Sequence, residues 1–383
     1  MANTNFAALT SNQLTAWSRD FWRVARNFSF INQFAGTGQN AMVQRITELT
    51  KSDKGTKAVI TLLADMTGDG ITGDNTLEGN EEALRAYDLT IELDQLRFAN
   101  RVAGRLADQK SVVNFRETSR DALAYAIADR MDQLAFLTLS GVSYALKTSG
   151  ALRNTSSSAG HELADLEFAS DVSAPTTNRH RRWDAGTTSI VAGNVATLVA
   201  ADTMAYKAIV ELKAYAKDNY IRGIRGPGGE EIFHMFVTPQ QMAKLKLDAD
   251  FLANVRNAGV RGPSNSLFAG TSSVMVDGIM IHEYRHVFNT ANATTGTSSN
   301  VGAAGYKWGA DADVNGARAL FCGAQALAMA DIGLPDIVEE SFDYGNQQGI
   351  SIGKIFGLRK PKYNSDYNSG VEDFGVIAFD TAY

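Results

Sequence analysis

The sequence predicts an α+β protein, and three observations carry that prediction. β-Branched and aliphatic segments (57–63, 86–93, 231–237) are mixed irregularly with segments of helical periodicity (114–140, 203–219, 239–257), without the regular strand–helix rhythm of a doubly wound sheet. Apolar residues are 44% of the 383 residues and charged residues 20%, which provides a substantial core and excludes wholesale disorder. No apolar run reaches the roughly 18 residues a membrane-spanning helix needs, since even Ala317 to Ala330 carries Arg318 and Gln325.

Taken in chain order, the N-terminus lacks a basic region followed by an apolar stretch and a small-residue cleavage site, so no secretion signal is expected. Across 12–34, Leu14, Trp17, Phe21, Val24 and Phe28 fall on one helical stripe with Ser11 as N-cap, while Arg19, Arg23 and Arg26 lie off it. Such a helix is expected to dock on its own core, with another subunit or a membrane surface as the alternatives. The segments 57–63 and 86–93 predict a long β-hairpin, joined by a tip from Asp65 to Glu82 rich in Asp, Gly, Thr and Glu. Residues 53–100 hold ten acidic and four basic side chains, a net charge of −6 that equals the surplus of the whole chain. An isolated hairpin is marginal in water, so this arm needs a further surface to lie on.

Asn114 can cap a helix that runs to Ser140, with Leu123, Ile127, Met131, Leu134 and Thr138 on one stripe and Gly141 as its stop. From 142 to 201 the pattern dissolves into loops with one or two small strands, and a stretch of this length is expected to be functional or an interaction surface. Order returns with a helix near Thr203–Asn219, a strand Glu231–Val237, a helix from Pro239 to about Asn257 and strands near Ser273–Phe288. A polar loop, Asn289 to Asn300, leads to the apolar strand region Arg318–Ile332 and to tail strands Ile350–Leu358 and Gly375–Phe379. The single cysteine, Cys322, lies inside the apolar run, reads as a buried thiol and fits a reducing compartment.

Four motifs invite a chemical reading. His282-Glu283-Tyr284-Arg285-His286 spells H-E-x-x-H, which on a helix would direct both imidazoles at one zinc ion with the glutamate as base. It follows an alternating segment broken by Asp277-Gly278, however, and on a strand the two histidines stand about 13 Å apart. No histidine follows His286 as a third ligand. Asp65 to Gly70 opens like a calcium loop, but position twelve is Thr76 where a bidentate glutamate is required. The glycine-rich segment 223–229 matches no phosphate-binding fingerprint and reads as a loop. Arg179-His180-Arg181-Arg182 with Trp183 reads as a solvated turn or a partner for acidic residues, since 36 basic against 42 acidic residues argue against a nucleic-acid binder. No active site assembles; neither a catalytic residue nor a metal or cofactor is expected.

An aromatic N-terminal arm, a long acidic hairpin, a long helix and an irregular α+β half with a returning sheet form an order that resembles the tailed-bacteriophage major capsid protein fold, the Hong Kong 97 fold. Gly68-Asp69-Gly70, the stretch Gly73 to Leu84, Ile91 to Arg97, Asp132-Gln133 and Leu139-Ser140-Gly141 resemble the major capsid family of coliphage N-four and its relatives. That resemblance covers 55–141; over 230–290 it rests more loosely on Val237-Thr238-Pro239-Gln240-Gln241 and Leu245-Lys246-Leu247-Asp248.

The resemblance implies an N-terminal arm (1–50), an extended loop (51–100), a peripheral domain with a spine helix (101–141), a loop-rich insertion (142–201), an axial domain (202–332) and a return to the peripheral sheet (333–383). It implies a structural protein that self-assembles as hexamers and pentamers into the icosahedral head of a tailed phage. Such a head encloses double-stranded DNA without reading its sequence, and is built in the host cytoplasm with a portal and with scaffolding or decoration proteins. The expected inter-subunit contacts are Trp17, Phe21 and Trp22 of the arm, Asp69, Asp74, Glu78, Glu81 and Glu82 of the tip, and the basic counterparts Arg101, Arg105, Arg116 and Arg120, to which Lys110 adds. The alternatives are a cellular nanocompartment shell of the same fold and a zinc hydrolase using His282, Glu283 and His286.

Overall fold

Two β-sheets clasp one long helix in the computed structural model, which describes residues 29–47, 55, 57–63, 68–82, 86–110, 115–153, 160–226, 228–258, 273–365 and 370–383. Of the helix predicted over 12–34, residues 12–28 lie outside the described residues, and the described end is a short 3-10 turn, Ile31–Phe34, in place of α-helix. Strands β1 (Ala35–Gly36) and β2 (Val43–Ile46) precede a hairpin of β3 (Lys57–Leu63) and β4 (Ala86–Glu92). β5 (Asp94–Arg101), the short helix α1 (Arg105–Lys110) and the 26-residue helix α2 (Phe115–Ser140) follow. Next come β6 (His180–Asp184), β7 (Ser189–Ala192), α3 (Tyr206–Asp218), β8 (Ile224–Arg225) and β9 (Glu231–Val237). Helices α4 (Pro239–Leu247) and α5 (Ala249–Ala258) lead to β10 (Ser273–Val276), β11 (Ile279–Glu283), β12 (Gly316–Cys322) and β13 (Leu327–Asp331). The chain closes with β14 (Asp336–Phe342), β15 (Gln347–Arg359), β16 (Lys362–Ser365), β17 (Gly370–Asp373) and β18 (Val376–Ala382).

The six-stranded sheet runs β1-β2-β13-β15-β14, with β5 also paired to β15; the eight-stranded sheet runs β10-β11-β9-β12-β18-β6-β7, with β8 on β9. Strand alternation divides the apolar residues of the larger sheet between two cores. Phe236, Leu320 and Cys322 face the core that holds α2, whereas Phe233, Met235 and Phe321 face the core built with α3 and α4. Helix α2 is about 39 Å long at 1.5 Å per residue, and its last ten residues, 131–140, are all buried. Its end is a Schellman turn, in which Val142 N donates to Leu137 O (3.0 Å) and Gly141 takes φ +66°. A Cβ at Gly141 would lie 2.5 Å from Ser173 O, so glycine is required by space as well as by φ.

Several expectations change. The helix over 239–257 is two helices, broken at Asp248, whose extended backbone (ψ 133°) lets its carboxylate accept from Tyr206 N at 3.0 Å. The apolar run Arg318–Ile332 is two strands in two different sheets, linked by Gly323–Ala326 with Gln325 at φ 52°. Continuous apolarity records burial on both faces but carries no mark of where one sheet ends. Among the described residues of 142–201, β6 and β7 extend the eight-stranded sheet, and 3-10 turns form at Leu163–Asp165, Glu167–Asp171, Thr177–Arg179 and Val195–Thr197. The tail 333–383 divides between the sheets: β14 and β15 belong to the smaller, β18 to the larger.

The basic segment is not a solvated turn. Arg179 is fully buried against Glu372 (2.9 Å), Arg181 stacks over Tyr215 (4.2 Å) and Arg182 pairs with Asp202 (3.2 Å), all within the chain.

Candidate functional site

The hairpin is anchored at its root and exposed at its tip. At the root, Ala58, Leu89 and Ile91 are buried against Ala328 and Ala330 of β13. Glu92 O and Ile91 lie so close to Gly357 of β15 that a Cβ there would sit 2.2 Å from the oxygen. Arg359 of β15 donates to Thr90 O and pairs with Asp171 (3.2 Å), which fixes β4 laterally. At the tip every residue from 68 to 82 is exposed, including Asp69, Asp74, Glu78, Glu81 and Glu82. The tip is nonetheless ordered by its own acids: Glu82 accepts from Gly68 N and Glu81 from Gly79 N, both at 2.8 Å. Asn75 and Asn80 bond Thr72 O and Thr76 O, and Leu77 stands out 60% exposed beside them. Asp65 lies outside the described residues.

The arginines predicted as counterparts are brought together, but around another element. Arg101 stacks over Phe342 (4.1 Å) and bonds Gln347, Arg105 donates to Gly345 O (3.2 Å), and Arg116 pairs with Glu339 (3.0 Å). All three brace the β14–β15 hairpin of their own chain, while Arg120 pairs with Asp121 (3.0 Å). Trp17, Phe21 and Trp22 lie outside the described residues. Sequence reasoning missed a second charged surface, a cleft of about 690 Å³ lined by Arg97, Arg130, Lys147 and Arg153 together with Asp94, Glu162 and Asp165, residues brought together from separate stretches of the chain. Burial and neighbouring Arg130 both lower the pKa of Arg153, whose bonds go to Tyr144 O, Leu146 O and Gln133.

Two buried carboxylates hold the frame on which these surfaces stand. Asp132 of α2 accepts from Ser29 Oγ (2.8 Å), Phe30 N (2.8 Å), Ile31 N (3.2 Å) and Tyr284 Oη (2.6 Å), tying the entry of residue 29 onward to the long helix. Burial raises its pKa, and those hydrogen bonds work against the rise. Asp380 of β18 takes a bidentate pair from Arg318 (2.7 and 2.9 Å) and a bond from His180 Nε2 (2.6 Å). Burial would raise Asp380, but Arg318 and His180 outweigh it and hold the carboxyl down at about 2. Arg318 also donates to Ser140 O (3.0 Å), so one guanidinium joins both strands to the end of α2.

The H-E-x-x-H segment is strand and turn, not helix. His282 lies on β11 and meets His234 of β9 (3.0 Å), while His286 lies beyond it and bonds Asp129 of α2 (2.7 Å). The two imidazoles therefore serve different partners and do not converge on one ion, and no cluster of three or more His, Cys, Asp or Glu suited to a metal occurs among the described residues.

Comparison with known proteins identifies the family. Residues 5–383 match the Phage capsid protein family. The chain belongs to that family. It is 57% identical over 377 residues to the major capsid protein of Pseudomonas phage KPP25, covering 98% of this chain and 96% of that protein. Among solved structures it is similar to the capsid of Ralstonia phage GP4 (TM-score 0.69, 27% identity, 92% of this chain and 90% of that one). It also resembles the cyanophage Pam1 capsid subunit (TM-score 0.67, 16% identity, covering 100% and 96%), a likeness of fold. The fold of this phage capsid protein is thus the Hong Kong 97 type, and its function is that of a structural major capsid protein, not an enzyme. As a member of the family it is a component of the virion and associates with itself in a shell.

Proposed function

We propose that the chain forms hexamers and pentamers that close into the icosahedral head of a tailed, double-stranded DNA phage, with the exposed hairpin tip as the principal clasp between neighbours. The observation that carries this reading is the tip itself, five carboxylates and two exposed aliphatic side chains, Ile71 and Leu77, ordered by internal hydrogen bonds and exposed throughout residues 68–82. On a neighbouring subunit it meets Arg101, Arg105, Arg116 and Arg120 or the cleft of Arg97, Arg130 and Arg153. Trp17, Phe21 and Trp22 bury against a neighbour as part of the arm. Each exposed ion pair contributes only about 0–1 kcal/mol, but a closed lattice repeats it at every subunit.

The segment division proposed here follows the same reading: arm 1–50, extended loop 51–100, peripheral domain 101–141, insertion 142–201, axial domain 202–332 and returning tail 333–383. Assembly takes place in the host cytoplasm around a portal, with scaffolding or decoration proteins as further partners. A chain of net charge −6 repels the packaged DNA, which favours a wall that encloses the genome without reading it.

The test is electron microscopy and sedimentation of particles from Glu81→Lys/Glu82→Lys and from a chain lacking residues 1–30. Normal yield and heat resistance in the first variant would remove the tip from the interface; normal particles in the second would remove the arm.

A further inference from the structure

His234 on β9 and His282 on β11 bring two ring nitrogens, Nδ1 and Nε2, to 3.0 Å, and both rings are half-buried. Lying against the pair is the segment that emerges from the N-terminal arm. The Phe34 ring stands 5.0 Å from His234 and 5.1 Å from His282, edge to face, and Phe30 stands 6.1 Å from His282. With both imidazoles neutral, one N–H donates to the other's lone pair and the site is satisfied. Charging both rings leaves two N–H groups facing each other with no acceptor between them, in a setting of aromatic side chains.

We propose that His234 and His282 form an acid-sensitive latch that holds residues 29–36 on the sheet at neutral pH and releases them as the two imidazoles take up protons. Among the described residues, the groups packed around the pair offer no compensating charge. Residues 29–36 contain no acid or base; Phe236 faces the pair from β9 and Phe136 lies behind Phe30 on α2. From β12, Cys322 pairs in register with His234 and is a buried thiol whose pKa burial raises. On β11, Glu283 alternates to the opposite face, and Tyr284 is a phenol raised by burial and by Asp132. Asp132 of α2 is an acid, but its oxygens are taken by Ser29, Phe30, Ile31 and Tyr284. Burial accordingly lowers both imidazoles, and His234 helps to push His282 down to about 4.

Linkage gives the sign and the size. Protons bind both rings of the released state from about pH 6.5 downward, whereas in the latched state His234 is lowered and His282 takes its proton only near pH 4, so docking weakens as pH falls below 6.5. One histidine accounts for up to about tenfold per pH unit. Above pH 7 the latch is at full strength.

Hydrogen exchange of the full-length chain between pH 7.5 and 4.5, corrected for intrinsic exchange, reads the latch directly. The peptide covering 29–36 should lose protection by about tenfold per unit below pH 6.5 while residues 134–139 of α2 stay protected. His282→Gln and His234→Gln should each flatten that slope. Wild-type protection at 29–36 that does not change across the range would overturn the proposal, as would a wild-type slope in both glutamine variants. An Asp132→Asn chain separates the other acid: a slope lost there but kept in the histidine variants would assign the proton to the carboxylate and overturn the latch.

Discussion

Removing the Arg318 guanidinium should unseat Asp380 and loosen the junction of α2 with the eight-stranded sheet. In Arg318→Met the hydrocarbon stem is kept, but Asp380, which is 0% exposed, loses both bidentate bonds and retains only His180, and Ser140 O loses a donor. The carboxyl held at about 2, against an ordinary 3.8, represents about 2 kcal/mol of stability at neutral pH. That stability is present above about pH 4 and is lost as pH falls through about 2. Leaving a buried charge without its partner costs more, about 3–5 kcal/mol. At about 2.1 cal/mol/K per residue for 383 residues, that loss lowers the melting temperature of the unassembled subunit by about 4–6 °C. The assay is calorimetry of the soluble subunit for Arg318→Met, Asp380→Leu and the double variant. The double variant should recover more than half of the loss, because replacing both ends of a buried pair avoids the stranded charge. A single variant that melts within 1 °C of wild type, or a double variant no better than the singles, would refute the reasoning.

Three further outcomes follow from the same geometry. Asp132→Asn keeps the shape but turns an N–H₂ toward one of two backbone donors, Phe30 N or Ile31 N, and should cost about 1–3 kcal/mol; Asp132→Ala should cost more, both read by thermal unfolding. Gly357→Ala places a Cβ 2.2 Å from Glu92 O, so the hairpin root must shift; subunits should still fold by circular dichroism but give fewer closed particles in the electron microscope. Gly141→Ala forces a side chain into φ +66° and against Ser173 O at 2.5 Å, and should lower stability by at least about 1 kcal/mol in denaturant titration.

What was legible in the sequence was local. Helix α2 announced itself through an apolar stripe and its glycine stop, and β3, β4 and β9 through β-branched alternation, because these signals need no knowledge of neighbours. Long-range pairing left little trace. Strand β14, with Asp336, Glu339 and Glu340, is too polar to stand out, and is made a strand by its partner β15. β5 carries a period-two pattern in Leu96, Phe98 and Asn100 that could have extended the hairpin reading into a second sheet. At the candidate site the acids of the tip were readable as a surplus of charge, and residues 68–82 are exposed. The arginines were not, because a charge count cannot tell that Arg101, Arg105 and Arg116 already brace the chain's own β14–β15 hairpin. Nor could an H-E-x-x-H spelling show that its histidines answer to β9 and to α2 separately.

The root of the hairpin, pressed on Gly357 with no side chain between, makes the arm a lever rather than a tether. Seven residues at about 3.4 Å each give a strand of about 24 Å before the tip begins. Tilting such a strand by about 5° at its pivot sweeps its far end through about 2 Å, less than one hydrogen-bond length. On the proposal that the tip is the clasp between neighbours, a shell whose curvature varies would keep the same grip by flexing one glycine-lined fulcrum, while both sheets and α2 keep their internal geometry.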